Sequence, residues 1–180
     1  MEKRTILLVP IGPVRPDLLS GLIRPLSATF GLPCRVVASI PIPQAAYDRR
    51  RGQYLGQGML AALARLDIPN DERVLGVIDA DCYAPGLNFI FGQARLHERD
   101  CFIALPRLRQ SFYGLPDDEN LFRQRVLKEA VHELGHTYGL GHCPNPHCVM
   151  HFSNSLHDTD VKDAEFCPRC QMQMRGETVQ

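Results

Sequence analysis

Residues 132–142 read HELGHTYGLGH, and this stretch constrains the fold more than any other part of the chain. His132 and His136 are four residues apart, so on an α-helix their imidazoles project from one face. Zinc takes neutral imidazole nitrogen readily, and catalytic zinc sites commonly use three protein ligands plus an open position for water. Glu133 follows the first histidine and can reach that water without ligating the metal. Gly139 comes three residues after His136. Glycine tolerates the left-handed backbone that stops a helix and turns the chain sharply. Such a turn can bring His142 back to the metal as a third ligand. The segment therefore asks for a helix that ends near Gly139 and a loop that doubles back.

The helix is legible upstream of the motif. Asp117-Asp118-Glu119 places negative charge at a helix start, where the dipole favours it. Leu127, Val131, Leu134 and Tyr138 keep an apolar stripe. Arg125, Glu129, His132 and His136 fall on a polar stripe, which predicts one buried face and one chemical face. Ahead of this helix, apolar runs alternate with helical patterns. Thr5–Pro10, Arg35–Ile40 and Arg73–Asp79 read as strands, and so does Cys101–Leu105. Pro16–Phe30 and Gln53–Leu66 read as helices, although Pro25 should kink or split the first. Strand and helix in alternation imply an α/β fold with a mostly parallel sheet. Asn88–Ala94 reads as a short strand interrupted by Gly92, which marks a bulge or a close backbone approach. That strand is either a sheet edge on which an extended peptide could add or an edge that binds nothing.

The chain has seven cysteines and a formal net charge of zero. Cys34, Cys82 and Cys101 sit in or beside apolar stretches and read as small buried hydrophobes. The other four form two pairs, Cys143-x4-Cys148 and Cys167-x2-Cys170. Four thiolates at such spacing suit a tetrahedral structural zinc more than a disulfide framework in a chain without an export signal. Such an ion would tie down the segment from Cys143 to Cys170, which has little apolar material of its own. Cys167-Pro168 also looks like a helix start, where the dipole favours thiolate. His97, His147, His151 and His157 carry no comparable pattern and read as surface or structural histidines.

HELGHTYGLGH followed by Met150 resembles the metzincins, whose signature is an extended histidine motif with a downstream Met-turn. Cys143 directly after His142, then Cys148, Met150 and Cys167-Pro168-Arg169-Cys170, narrows the resemblance to the archaemetzincins. Leu87–Ala94 is similar to that family's segment ahead of the active-site helix. The resemblance implies a zincin-like metzincin fold: a mixed sheet, a long active-site helix and a short zinc-tethered C-terminal subdomain. One domain over residues 1–180 is expected, with residues 1–142 carrying the helix and residues 143–180 carrying the Met-turn and the four-cysteine site. It further implies catalytic zinc on His132, His136 and His142, with Glu133 as the base. Cys143, Cys148, Cys167 and Cys170 would hold a second, structural zinc, and Met150 would pack beneath the metal site. Some metzincins carry tyrosine two residues after that methionine; Phe152 stands here, so no phenol comes from this position.

The expected activity is zinc-dependent hydrolysis of peptide bonds through a metal-activated water. Two rivals are a zinc endoribonuclease of the H-x3-H-x5-H type and a non-enzymatic zinc-binding interaction module. The glutamate after His132, the four cysteines and the balanced charge weigh against the first. Balanced charge gives no nucleic-acid footprint. Arg49-Arg50-Arg51 is the one dense basic cluster and reads as a solvated loop or helix start in preference to a binding patch. No stretch approaches the roughly 18 apolar residues of a membrane span. A soluble, cytoplasmic monomer acting on peptide or protein substrate is expected, with neither nucleic acid nor membrane as partner.

Overall fold

The computed structural model describes residues 4–176. Strands β1 (Ile6–Ile11), β2 (Cys34–Val36), β5 (Arg73–Ile78) and β8 (Asp100–Ala104) run parallel. Strand β7 (Gly92–Ala94) joins β8 antiparallel and closes the order β2-β1-β5-β8-β7. The sheet is thus mostly parallel with one antiparallel edge strand in the expected place. A second, small sheet pairs β3 (Tyr47–Asp48), β4 (Gln53–Leu55) and β6 (Cys82–Tyr83) in the order β3-β4-β6.

The central strands are apolar on both faces because both faces are covered. Helices α1 (Pro16–Phe30) and α3 (Glu119–Thr137) share one core with Ile6, Leu8, Leu75, Val77 and Ile103. Helix α2 (Gly56–Ala64) covers the other face with Met59, Leu60 and Leu63 against Val9, Ile11, Val74 and Phe102. Pro25 remains inside α1. Its lost hydrogen bond costs about 3 kcal/mol, while burying Leu18, Leu19, Leu22 and Leu26 contributes about 1.5–3 kcal/mol each. Packing wins, and the helix continues to its left-handed cap at Gly31.

Several elements differ from the sequence reading. The second strand is shorter and earlier than Arg35–Ile40; Ile40 returns only as an isolated bridge to Ile11. Residues 53–55 of the expected second helix are β4, because Gln53 and Tyr54 find partners in Asp48 and Tyr47. The edge strand is confined to its last three residues, while Ile90 bridges back to Cys82. Helices α4 (Leu156–Val161) and α5 (Pro168–Met174) occupy the segment where regular pattern fades. The first is set by a reciprocal Ser155–Asp158 capping box, and the second starts at Cys167-Pro168 as expected. Cys82 and Cys101 are fully buried, whereas Cys34 is only half-buried.

Candidate metal and active site

Helix α3 begins at Asp118, whose carboxylate accepts the Leu121 amide at 2.9 Å. It ends in a left-handed turn at Gly139, φ 84°. The Gly139 amide donates to the His136 carbonyl and the Leu140 amide to the Gly135 carbonyl, at 2.9 and 3.2 Å. That pair of bonds is a Schellman stop. The turn has a second requirement besides φ. A Cβ on residue 139 would collide with the imidazole of His97.

The turn brings His142 to His132 and His136. One ligand-capable atom from each of the three lies within 4.8 Å of the others. The His132 and His136 Nε2 atoms are 3.1 Å apart. The opposite nitrogens are engaged: His132 Nδ1 meets the Val149 carbonyl at 2.8 Å, and His136 Nδ1 meets the Leu140 carbonyl at 2.6 Å. A carbonyl only accepts, so each Nδ1 carries the proton and each Nε2 turns a bare lone pair toward the other. Two facing lone pairs repel, and a shared cation removes the conflict. Tetrahedral zinc with Zn–N near 2.0–2.1 Å requires nitrogens about 3.3 Å apart, so the residues fit the ion. Burial pushes His132 well below the usual imidazole range, His136 to about 4 and His142 downward. All three are neutral near pH 7, the form a metal needs.

Glu133 is buried beside this triad. Burial, reinforced by Glu129 and opposed by Lys162, holds its carboxyl well above the usual range. Gly92 of the edge strand lies directly against it. A Cβ there would come within 2.7 Å of Glu133 Cγ and Oε1, so the glycine in the strand does mark a close approach. Beneath the triad, Met150 packs on Gly135, where an added Cβ would sit 2.5 Å from its sulfur. Phe152 packs on His142 at a tilt of 42°, with ring centroids 4.8 Å apart. A cleft of about 250 Å³ opens beside His132 and Glu133, between residues 86–92 and residues 152–154.

The four C-terminal cysteines converge as well. One sulfur from each lies within 4.8 Å of the others, and the Cys143 and Cys167 sulfurs are 3.8 Å apart. Zn–S bonds near 2.3 Å place tetrahedral sulfurs about 3.8 Å apart. Burial would raise the Cys167 thiol, but hydrogen bonds from the Cys170 backbone and the neighbouring thiols bring it to about 7. The His151 ring meets the Cys143 carbonyl at 2.9 Å and the Cys143 amide donates to the Met150 carbonyl, also at 2.9 Å. The cysteine loop, the Met150 loop and His142 are therefore one connected piece of backbone.

Comparison with known proteins agrees with this geometry. The model of peptidase family M54 matches residues 21–176. An archaemetzincin of Pyrococcus abyssi is 47% identical over 172 residues, 92% of this chain and 91% of the relative. A crystal structure of archaemetzincin from Methanopyrus kandleri superposes with a TM-score of 0.86 at 39% identity, covering 97% of this chain and 94% of that one. One from Archaeoglobus fulgidus, complexed with malonate, gives 0.81 at 35% identity, with 94% and 99% covered.

The chain belongs to peptidase family M54. It is a zinc metallopeptidase of the archaemetzincin type, and the ribonuclease and non-enzymatic readings are not favoured. Among the described residues, no helix is long and apolar enough to cross a membrane.

Several residues around this M54 site carry no motif. Arg51 donates to the Leu87 and Asn88 carbonyls at 3.1 Å, and the Gln53 amide reaches Asn88 at 3.0 Å, so both pin the cleft-side loop. The basic triplet is therefore more than a solvated loop or helix start at its third residue. His97 adopts φ 63°, the one non-glycine positive φ among the described residues, and its amide donates to the His136 carbonyl at 3.2 Å. The polar stripe of α3 is not a solvent face. Arg125, Glu129, His132 and Glu133 are all buried. Arg125 makes paired bonds to Asp160 at 2.6 and 2.7 Å, and Lys162 reaches Glu129 at 2.9 Å. The spacing of Glu129 one turn before Glu133 was a readable signal; nothing in a polar loop distinguishes Lys162.

Proposed function

We propose that His132, His136 and His142 hold the catalytic zinc, that Glu133 is the general base, and that Cys143, Cys148, Cys167 and Cys170 hold a second, structural zinc. The observation that carries the catalytic assignment is the pair of unprotonated Nε2 atoms 3.1 Å apart, each fixed by a carbonyl behind it. A zinc ion bound there supplies a Lewis acid that lowers the pKa of water toward roughly 7 and polarises a carbonyl. Glu133 takes a proton from the attacking water and returns it to the leaving amine. Its burial suits it to that work, because a carboxylate in a dry site is a stronger base than one in water. Gly92 lets the edge strand lie against Glu133, so a peptide paired to that strand passes the base at close range. Phe152 fixes the His142 ring and supplies no proton. The four cysteines, holding a structural ion, would tether the segment from Cys143 onward as a subdomain and keep His142 and Met150 in place.

The test is hydrolysis of a panel of peptides and denatured proteins by zinc-replete protein, with and without chelator, alongside elemental analysis. Chelator-sensitive cleavage and two zinc ions per chain are expected. One zinc per chain after zinc-replete purification overturns the two-site assignment, and cleavage indifferent to chelation overturns the catalytic one.

A further inference from the structure

The cleft beside the imidazoles has an unusual wall. Its apolar surface comes from Leu87, Phe89, Ile90, Phe91 and Phe152. Its charged lining, besides His132, consists of Glu129 and Glu133, and no lysine or arginine lines it. Glu133 is occupied by the base role. Glu129 is not, and nothing in the hydrolytic chemistry needs a second carboxylate there.

Glu129 is held in one position by partners on its far side. The Lys162 ammonium meets Glu129 Oε1 at 2.9 Å, and the Thr159 hydroxyl donates to the same oxygen at 3.2 Å. The Lys162 side chain is fully buried, so it reaches Glu129 from behind and not through the cleft. The Lys162 ammonium also donates to the His151 carbonyl at 3.4 Å. Lys128 further ties its own turn of α3 to α4 by donating to the Thr159 and Asp160 carbonyls at 3.0 and 3.1 Å. The Lys162 and Thr159 contacts fall on Oε1 and Glu129 lines the cleft, so Oε2 is the oxygen we assign to receive whatever enters. A buried ion pair is weak support for stability, since desolvation offsets most of its attraction. An immobilised acceptor in the wall of a partly apolar cleft instead serves recognition, because a site built to receive a donor rejects groups that lack one.

We propose that Glu129 is a specificity-determining residue, and that the cleft takes a substrate side chain with an apolar stem and a terminal N–H donor, arginine or lysine before glutamine. Lys162 and Thr159 act through Glu129 as positioning residues. The apolar stem packs on the phenylalanine walls, and the donor head reaches Oε2. Acidic side chains are excluded by two glutamates and the absence of a basic lining residue. The inference rests on the peptidase assignment above and adds the substrate class.

The experiment uses zinc-loaded protein and peptides identical except at the two residues flanking the cleaved bond, where leucine, methionine, glutamine, lysine, arginine and glutamate are placed in turn. Cleavage is read by mass spectrometry as kcat/KM. Binding of the same peptides to the Glu133→Ala variant is read by fluorescence anisotropy. At one flanking position lysine and arginine should exceed methionine, an unbranched side chain without a donor, by about tenfold, as one charge-assisted hydrogen bond allows. Glutamate should be poorest. Glu129→Gln should shrink the lysine-to-methionine ratio in both kcat/KM and binding. A purely structural Glu129 would lower all substrates by one common factor. Because removing this carboxylate leaves Lys162 buried without a counter-charge, the paired variant Glu129→Leu/Lys162→Met is the second arm, and it should prefer leucine and methionine. Parent protein that favours leucine or methionine over lysine at both positions overturns the proposal, as does an unchanged ratio in the variants. If no peptide is hydrolysed, the peptidase roles fail, and the binding ratios still decide the pocket's preference.

Discussion

Removing the Lys162 ammonium should cost far more than a loop lysine normally does. Its side chain is 0% exposed and that of Glu129 4%, with the charges 2.9 Å apart. Lys162→Met keeps the length and the apolar stem but leaves the Glu129 carboxylate buried against Thr159 with no counter-charge. Breaking one side of such a pair costs about 3–5 kcal/mol. For a chain of this size about 2–4 °C of melting temperature is lost per kcal/mol. A fall of about 6–20 °C is therefore expected in thermal denaturation of the zinc-loaded protein. Replacing both partners, Glu129→Leu/Lys162→Met, removes the stranded charge and should recover most of the loss. The assay is a double-mutant cycle on melting midpoints, with zinc content measured for every variant. If Lys162→Met melts within a degree or two of the parent, or if the two changes simply add, the pair is not the coupled buried unit argued from its geometry.

The roles within the metal site separate by variant. Glu133→Ala should retain zinc and lose hydrolysis, whereas His142→Ala should lose the catalytic ion and keep the four-cysteine one; zinc stoichiometry beside activity decides both. Gly92→Ala should lower kcat by two orders of magnitude or more, on the order of what a 1 Å misplacement costs, because its Cβ would stand 2.7 Å from Glu133 Cγ; an active variant would remove the close-approach argument. Burial depresses His136 from 6.5 to about 4. In zinc-free protein the unfolded chain therefore binds the extra proton first, so stability held above pH 6.5 should drain away as pH falls toward about 4. Urea titrations of chelated protein at pH 4.5 and 7.5 check this, and equal midpoints would contradict it.

The parts of the molecule that could be read from the sequence are those whose pattern is local. The stop at Gly139 follows from glycine's backbone freedom, and the parallel strands follow from apolar runs such as Ile6–Ile11 that are buried on both faces. The cysteine cluster follows from spacing alone. What escaped was set by distant partners. Gln53 and Tyr54 leave a helical pattern because the strand Tyr47–Asp48 pairs with them. Arg51 looked solvated, yet its guanidinium grips the Leu87 and Asn88 carbonyls across the cleft loop. The expected chemical face of α3 is interior because α4 lies over it and supplies Asp160, and the following residue Lys162 supplies the ammonium. A polar stripe on a helix reads the same whether water or a buried counter-charge meets it.

The site's position in the fold follows from the same arrangement. Open parallel sheets usually bind ligands beyond the carboxyl ends of their strands, where the strand order reverses. Here that reversal lies between β1 and β5. His132 and His136 lie instead on α3, which packs across β8 and β7, and His142 returns from the loop that follows it. Parallel strands need long crossovers and leave an edge only where the sheet stops. Strand β7 is one of the two edges, α3 packs against it and β8, and its Gly92 lies close against Glu133. The edge that other proteins must protect from chance pairing is in this chain the surface nearest the base. On the proposed reading what pairs at that edge is cut and released, and Gly92 is the residue that lets the strand and the base approach each other.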